Sequence, residues 1–239
     1  MGSNRKIAGI TDLSQRKAVK MLRFLYPIWL VVGPFSLMYV PSTLIVAGDA
    51  ATTASNIIAN ELLFRMGIAG SLVTQLLQIF VVLALYKLFK AVNNNLSILM
   101  VIFAFIGIPI SMFNSFNRIA AVMLLSGADY LSAFTTNQLQ TLSMFFLSLN
   151  DQVILTIPAI FWGLWLLPMG LLIKRSGYFP KILGNLMLVG GVGYLLGSFA
   201  HILLPSYKTL LTIFEFMTYG EVVFIGWVIF KGAKLPGKA

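Results

Sequence analysis

Residues 96–123 read LSILMVIFAFIGIPISMFNSFNRIAAVM, twenty-eight positions with a single ionisable side chain, Arg118. As a helix this run reaches about 42 Å at 1.5 Å per residue, more than the ~30 Å hydrocarbon core of a bilayer. It is far too long for a barrel strand, which needs only about ten residues to cross. Backbone polar groups have no partner in lipid, so a run of this kind satisfies them internally as a helix.

Five more runs follow the same rule: 22–46, 67–88, 153–173, 182–204 and 210–230. The expected fold class is therefore all-α, a polytopic transmembrane bundle of about six spans. Its divisions are a basic N-terminal segment over residues 1–21, a membrane domain over 22–230 and a basic tail over 231–239. The first run is too long for a cleaved signal peptide and lacks its small-residue cleavage pattern, so a retained signal anchor is expected. Composition agrees: 59% of the residues are hydrophobic and only 10% charged, with a mean hydropathy of +0.91. A soluble domain could not cover so apolar a surface.

Several chemistries are excluded at once. The chain has no cysteine and one histidine, His201. Thiolate chemistry, disulfides and multi-histidine metal or haem sites cannot be assembled from it. No metal ligand and no catalytic residue is assigned, and no cofactor is specified.

Charge sets an expected orientation. With the N-terminus inside, fourteen of the 17 Lys and Arg residues fall on cytoplasmic segments, leaving Arg65, Arg118 and Lys208 outside. The expectation is a multi-pass membrane protein with both termini in the cytoplasm. The net charge of +10 is then spread over membrane-flanking loops. It suits anionic lipid headgroups and not a nucleic-acid groove. The outer segments, 48–66 and 126–152, are the long ones. In the first, Thr52 or Thr53 is the expected cap of a short interfacial helix bearing Ile57, Ile58, Leu62 and Leu63. The stretch 139–149 either lies on the bundle or extends the fourth span.

Polar groups at bilayer depth are costly, about 2.5 kcal/mol or more for an ionisable one, and mark candidate sites. Gly107, Ser111, Asn114 and Arg118 recur at i, i+4, i+7 and i+11, one face of the third span, with Asn117 beside them. The last span carries Glu215 and Glu221, six positions apart and so about 120° out of register. In the fifth span Gly190, Gly193, Gly197 and His201 form a small-residue face suited to close helix packing. The candidate ligand-binding residues are Asn114, Asn117, Arg118, Glu215, Glu221 and His201, grouped as a polar pocket in the outer half. An inward guanidinium needs a carboxylate or an anionic ligand. By depth Glu215 is the first expected partner of Arg118, followed by Asp151, Glu61 or a bound headgroup.

Four stretches carry a resemblance: Gly48-Asp49-Ala50-Ala51, Leu63-Phe64-Arg65, Leu125 to Leu131 (LSGADYL) and Arg175 to Gly184 (RSGYFPKILG). Together they resemble the bacterial membrane family catalogued as domain of unknown function 4386, over about Arg16 to Gly232. The resemblance implies a six-helix bacterial integral membrane protein, placed in the cytoplasmic (inner) membrane, and brings no activity, substrate or catalytic residue. Physically, Arg175 to Gly184 reads as a cytoplasmic turn with basic stop signals, a flexible Ser-Gly, an aromatic interface anchor and Pro180 at the next helix entry.

Three functions are compatible with this reading. The foremost is a binding or transport-type bundle for a small amphiphile, lipid or ion. A second is a structural or regulatory subunit that docks a partner through its apolar outer segments. The third is an intramembrane serine-type hydrolase built on Ser198 and His201, three residues apart. The lipid bilayer is the one partner the sequence demands, and oligomeric state is left open.

Overall fold

The computed structural model describes residues 14–235, so the N-terminal segment before Ser14 and the last four residues of the tail lie outside the described residues. Among the described residues there are seven helices and no strand, and six helices are long and apolar enough to cross a membrane. They are α1 (Gln15–Leu44), α2 (Ala50–Ala59), α3 (Glu61–Phe89), α4 (Asn94–Leu124), α5 (Thr136–Ser176), α6 (Lys181–Leu203) and α7 (Lys208–Phe230). All except α2 are spans. Connections 45–60, 125–135 and 204–207 therefore share one end of the bundle, here called the elaborated end. Connections 90–93 and 177–180 share the other, basic end.

The first span is not a uniform helix. Over Phe35–Tyr39 it widens into a π-helical turn, and the N–H of Val40 reaches back to the carbonyl of Phe35. The next residue, Pro41, has no N–H to give. Ser36 thus keeps a carbonyl with no donor on its own helix: the α-helical donor Val40 is engaged elsewhere, and the π-helical donor is a proline.

At the elaborated end, α2 differs from its expected form in three respects, the first being that it ends at Ala59, so that Leu62 and Leu63 belong to α3. Its cap is Asp49, not a threonine: the carboxylate accepts from the Thr52 N–H at 2.9 Å and from the Thr52 hydroxyl at 2.7 Å. Thr53 instead closes the preceding turn through both backbone groups of Val46. The helix also packs on α5 and does not simply float at the interface. Ile57 is fully buried in a cluster with Val40, Leu44, Phe64 and Leu147, while Ile58 and Leu62 stay exposed.

Stretch 139–149 belongs to α5, a 41-residue helix about 60 Å long, twice the hydrocarbon thickness. Thr135 and Gln138 form a reciprocal capping box at its start. The overhang is held to α4, where the Ser143 hydroxyl donates to the carbonyl of Ala121 at 3.1 Å. Gly177, at φ +67°, ends the helix in the left-handed conformation that glycine adopts without strain.

Helices α5 and α6 meet backbone to backbone. A Cβ on Gly163 would lie 2.7 Å from the carbonyl oxygen of Gly191, and one on Gly170 would lie 2.7 Å from that of Gly184. Both pairs are spaced by seven residues, so the contact repeats after two turns. The stripe noted in the sequence, Gly190, Gly193 and Gly197, lies on a different face and receives Phe214 and Met217 of α7. Helix α6 is thus packed closely on two sides.

The basic end is closed by the turn that follows Gly177. Tyr178 and Phe179 are buried, stacking on Phe89, and Phe179 also meets Phe224. The expected aromatic anchor at the lipid interface is therefore an inward plug. The left-handed Gly177 turns the chain back over the bundle, and Gln15 pins it by donating to both the Leu88 carbonyl and the Tyr178 hydroxyl.

Candidate functional site

The polar face of α4 points into the bundle as its spacing requires, with Ser111, Asn114 and Arg118 all buried. Asn117 donates to the Oδ1 of Asn114 at 2.9 Å, and Asn114 donates to the carbonyl of Asn150 at 2.8 Å. Asn150 in turn donates to the Asp151 carboxylate at 3.1 Å. A line of amides therefore joins α4 to α5. Arg118 stands beside it and donates from Nη1 to the carbonyl of Ser36 at 2.9 Å.

That bond corrects the expected pairing of Arg118 with a carboxylate. Among the described residues no Asp or Glu comes within 4 Å of its guanidinium, and the ion pair present is the surface one between Arg65 and Glu61. Glu215 is exposed on another side of the bundle. Asp151 shares a chamber with Arg118 without touching it. The orphaned carbonyl made by the π turn and Pro41 takes the place of the carboxylate.

The six candidate residues do not form one pocket. The structure distributes five of them among three chambers that share Trp162 as a wall. The first, about 240 Å³, holds Arg118, Asn114, Ser111, Ser115, Asn150 and Asp151, near the elaborated end. The second, about 160 Å³, lies deeper and holds Glu221. The third, about 360 Å³, opens between α5, α6 and α7 and holds His201 and Glu215. Asn117 acts behind the first chamber, through Asn114.

Within the third chamber no hydrogen bond or ion pair joins His201 to Glu215 among the described residues. Ser198 donates to the Tyr194 carbonyl at 2.7 Å, one turn back on its own helix, and not to His201. A serine nucleophile needs its base within hydrogen-bond reach, and that arrangement is not formed.

Sequence reasoning missed the aromatic walls. Trp29, Trp162 and Trp165 all line the second chamber, and Tyr194 joins them, its ring edge-on to Trp162 with centroids 5.8 Å apart. A usable signal was present: tryptophan in membrane helices favours the two interfaces, so mid-span tryptophans call for an explanation. Ser36 could not have been named, because a main-chain acceptor freed by a helix defect leaves no side-chain signature.

Outside the spans, the Thr52 hydroxyl and then the Thr52 N–H hold the Asp49 carboxyl below the usual carboxylate range.

The similarities of the chain point to a shared fold and not to a named activity. An uncharacterised protein of Archaeoglobus fulgidus is 29% identical over 170 residues, which is 70% of this chain and 85% of that protein. This relative is archaeal, whereas the sequence resemblance is to a family described as bacterial. No solved structure matches the chain. Residues 24–232, nearly all of the membrane bundle, match the model of the domain of unknown function DUF4386, and the chain belongs to that family.

Proposed function

We propose that the Arg118 chamber receives the polar, anionic head of a small amphiphile or lipid, which makes the chain a binding or transport-type bundle. We also propose the cytoplasmic membrane as its site, with both termini inside, on the strength of the basic residues gathered at one end.

The observation that carries the ligand reading is the state of the Arg118 guanidinium. It has five N–H groups, and one of them is engaged, on Ser36. The side chain is buried, and the remaining donors adjoin a cavity of about 240 Å³ lined with hydroxyls, amides and the Asp151 carboxylate, which does not touch the guanidinium. A buried guanidinium without a carboxylate is expensive, and an anionic head in that space would offset the cost.

The test is a thermal-shift series on protein in a nonionic detergent, with phosphate- and carboxylate-headed amphiphiles and their uncharged counterparts. An anionic head raises the melting temperature saturably, and Asn114→Ala together with Arg118→Gln abolishes the rise. Equal response to charged and uncharged heads would end the proposal.

A further inference from the structure

The second chamber has a chemistry of its own. Three of the protein's four tryptophans, Trp29, Trp162 and Trp165, face it together with Tyr194, and the single carboxyl group among its walls is that of Glu221. The position is about 20 Å along α7 from Lys208 and about 14 Å from Phe230, close to the middle of the span. Glu221 has no hydrogen-bond or salt-bridge partner among the described residues. The bundle's one deep cation, Arg118, lines the neighbouring chamber and is bonded to Ser36. A second group in the same wall is equally incomplete: the indole N–H of Trp29 is fully buried and has no acceptor.

Aromatic faces and one uncompensated carboxylate are the groups that recognise an organic cation. The π faces attract a diffuse positive charge, best from tryptophan and more strongly when water is excluded, while the carboxylate fixes the sign. A small divalent metal ion would find a single carboxyl group there, beside the amides of Gln75 and Gln78 and the hydroxyls of Thr74 and Tyr194, which is little negative charge for such an ion. No group of three or more metal-binding side chains occurs among the described residues. A cavity of about 160 Å³ suits a methylated or alkylated ammonium head. The oxygen that many such heads carry would give the Trp29 N–H its acceptor.

We infer that the chamber enclosed by Trp29, Trp162, Trp165, Tyr194 and Glu221 is a binding site for a small organic ammonium ion, with Glu221 as its counter-ion. The inference is independent of the Arg118 chamber, which calls for the opposite charge. The ammonium group can belong to a free amine or to the head of a lipid.

The tryptophans supply the readout. Choline chloride is titrated into the full chain in a nonionic detergent while tryptophan emission and melting temperature are followed, with potassium chloride at equal ionic strength as the control. A parallel titration uses a single-chain phosphocholine lipid. Saturable change with choline assigns the site to free ammonium ions; change with the phosphocholine lipid alone, lost in Glu221→Gln, assigns it to a lipid head. Either supports the inference. Glu221→Gln, which keeps the shape and removes the charge, weakens binding at least tenfold. Glu215→Gln, exposed in the third chamber, leaves it unchanged, and because the probe here is a cation this result and that of the anionic-head series are read separately. Indifference to both ammonium probes, an equal response to potassium, or unaltered affinity in Glu221→Gln would overturn it. If Glu221→Gln does not fold, the wild-type contrast between choline and potassium decides alone.

Discussion

Arg118 illustrates how a membrane protein places a charge without an ion pair. The cost of burying a guanidinium is met first by a main-chain oxygen, and that oxygen is available because a π turn and a proline coincide on α1. Arg118→Leu leaves the Ser36 carbonyl without a donor and should cost about 2–3 kcal/mol, in line with a hydrogen bond to a charged group. Arg65→Leu breaks an exposed pair one turn apart on α3 and should cost less than about 0.5 kcal/mol. Denaturant or thermal melts of the two variants in the same detergent give the comparison, and equal losses would contradict the assignment. A double-mutant cycle tests the origin of the acceptor. In a Pro41→Ala background residue 41 regains an N–H for Ser36, so Arg118→Leu should then cost at least about 1 kcal/mol less. The polar stripe on α4 was legible because helical periodicity needs no knowledge of neighbours. Its partner was not, because carbonyls carry no sequence label and the defect that frees one emerges from hydrogen-bond register.

Among the helices, legibility followed the lipid. Three of the six spans, α4, α6 and α7, lie within two residues of their expected bounds, since twenty apolar positions leave few alternatives, while α1 and α3 begin seven and six residues earlier than their apolar runs. The fourth exceeds its apolar run by 17 residues at its start, from Thr136 to Gln152. That part is amphipathic and packs on α4 beyond the apolar windows, so hydropathy alone could not attach it. Glycines of α5 and α7 differ in what surrounds them. Gly170→Ala should cost about 1–3 kcal/mol, because a Cβ there meets a backbone oxygen that cannot move aside. Gly226→Ala meets nothing within 4 Å and should be neutral or gain up to about 1 kcal/mol from helix propensity. Helix α2 adds a pH dependence. The folded-state pKa of Asp49 is depressed by its Thr52 bonds, so this cap contributes fully above the unfolded value of about 3.9 and is lost as pH falls through the folded one. Asp49→Asn should remove that acid-side loss, as followed by melting temperature between neutral and acidic pH.

At the scale of the whole molecule the two ends are built for different tasks. The basic end is tight: Tyr178 and Phe179 fill it, Gln15 ties α1 to α3 and to the turn, and Arg23 donates to the Ile229 carbonyl at 2.9 Å, joining the first span to the last. The elaborated end carries α2, the overhang of α5 and the amide line, and the Arg118 chamber lies just beneath it. A ligand would therefore enter from the elaborated end or laterally from the bilayer, and the proposed orientation turns that end outward. Absence of cysteine makes this open to direct measurement, since any introduced thiol is unique. Ser132→Cys and Ala91→Cys place exposed thiols on the two opposite ends. In intact cells a membrane-impermeant maleimide should label Ser132→Cys at once and Ala91→Cys only after permeabilisation. Reversal of the two results would invert the bundle and place the Arg118 chamber beneath the cytoplasmic surface. The amphiphile would then have to arrive from inside the cell. Equal labelling of both before permeabilisation would show that the probe crosses the membrane, and a bulkier maleimide would then be needed to resolve the two sides.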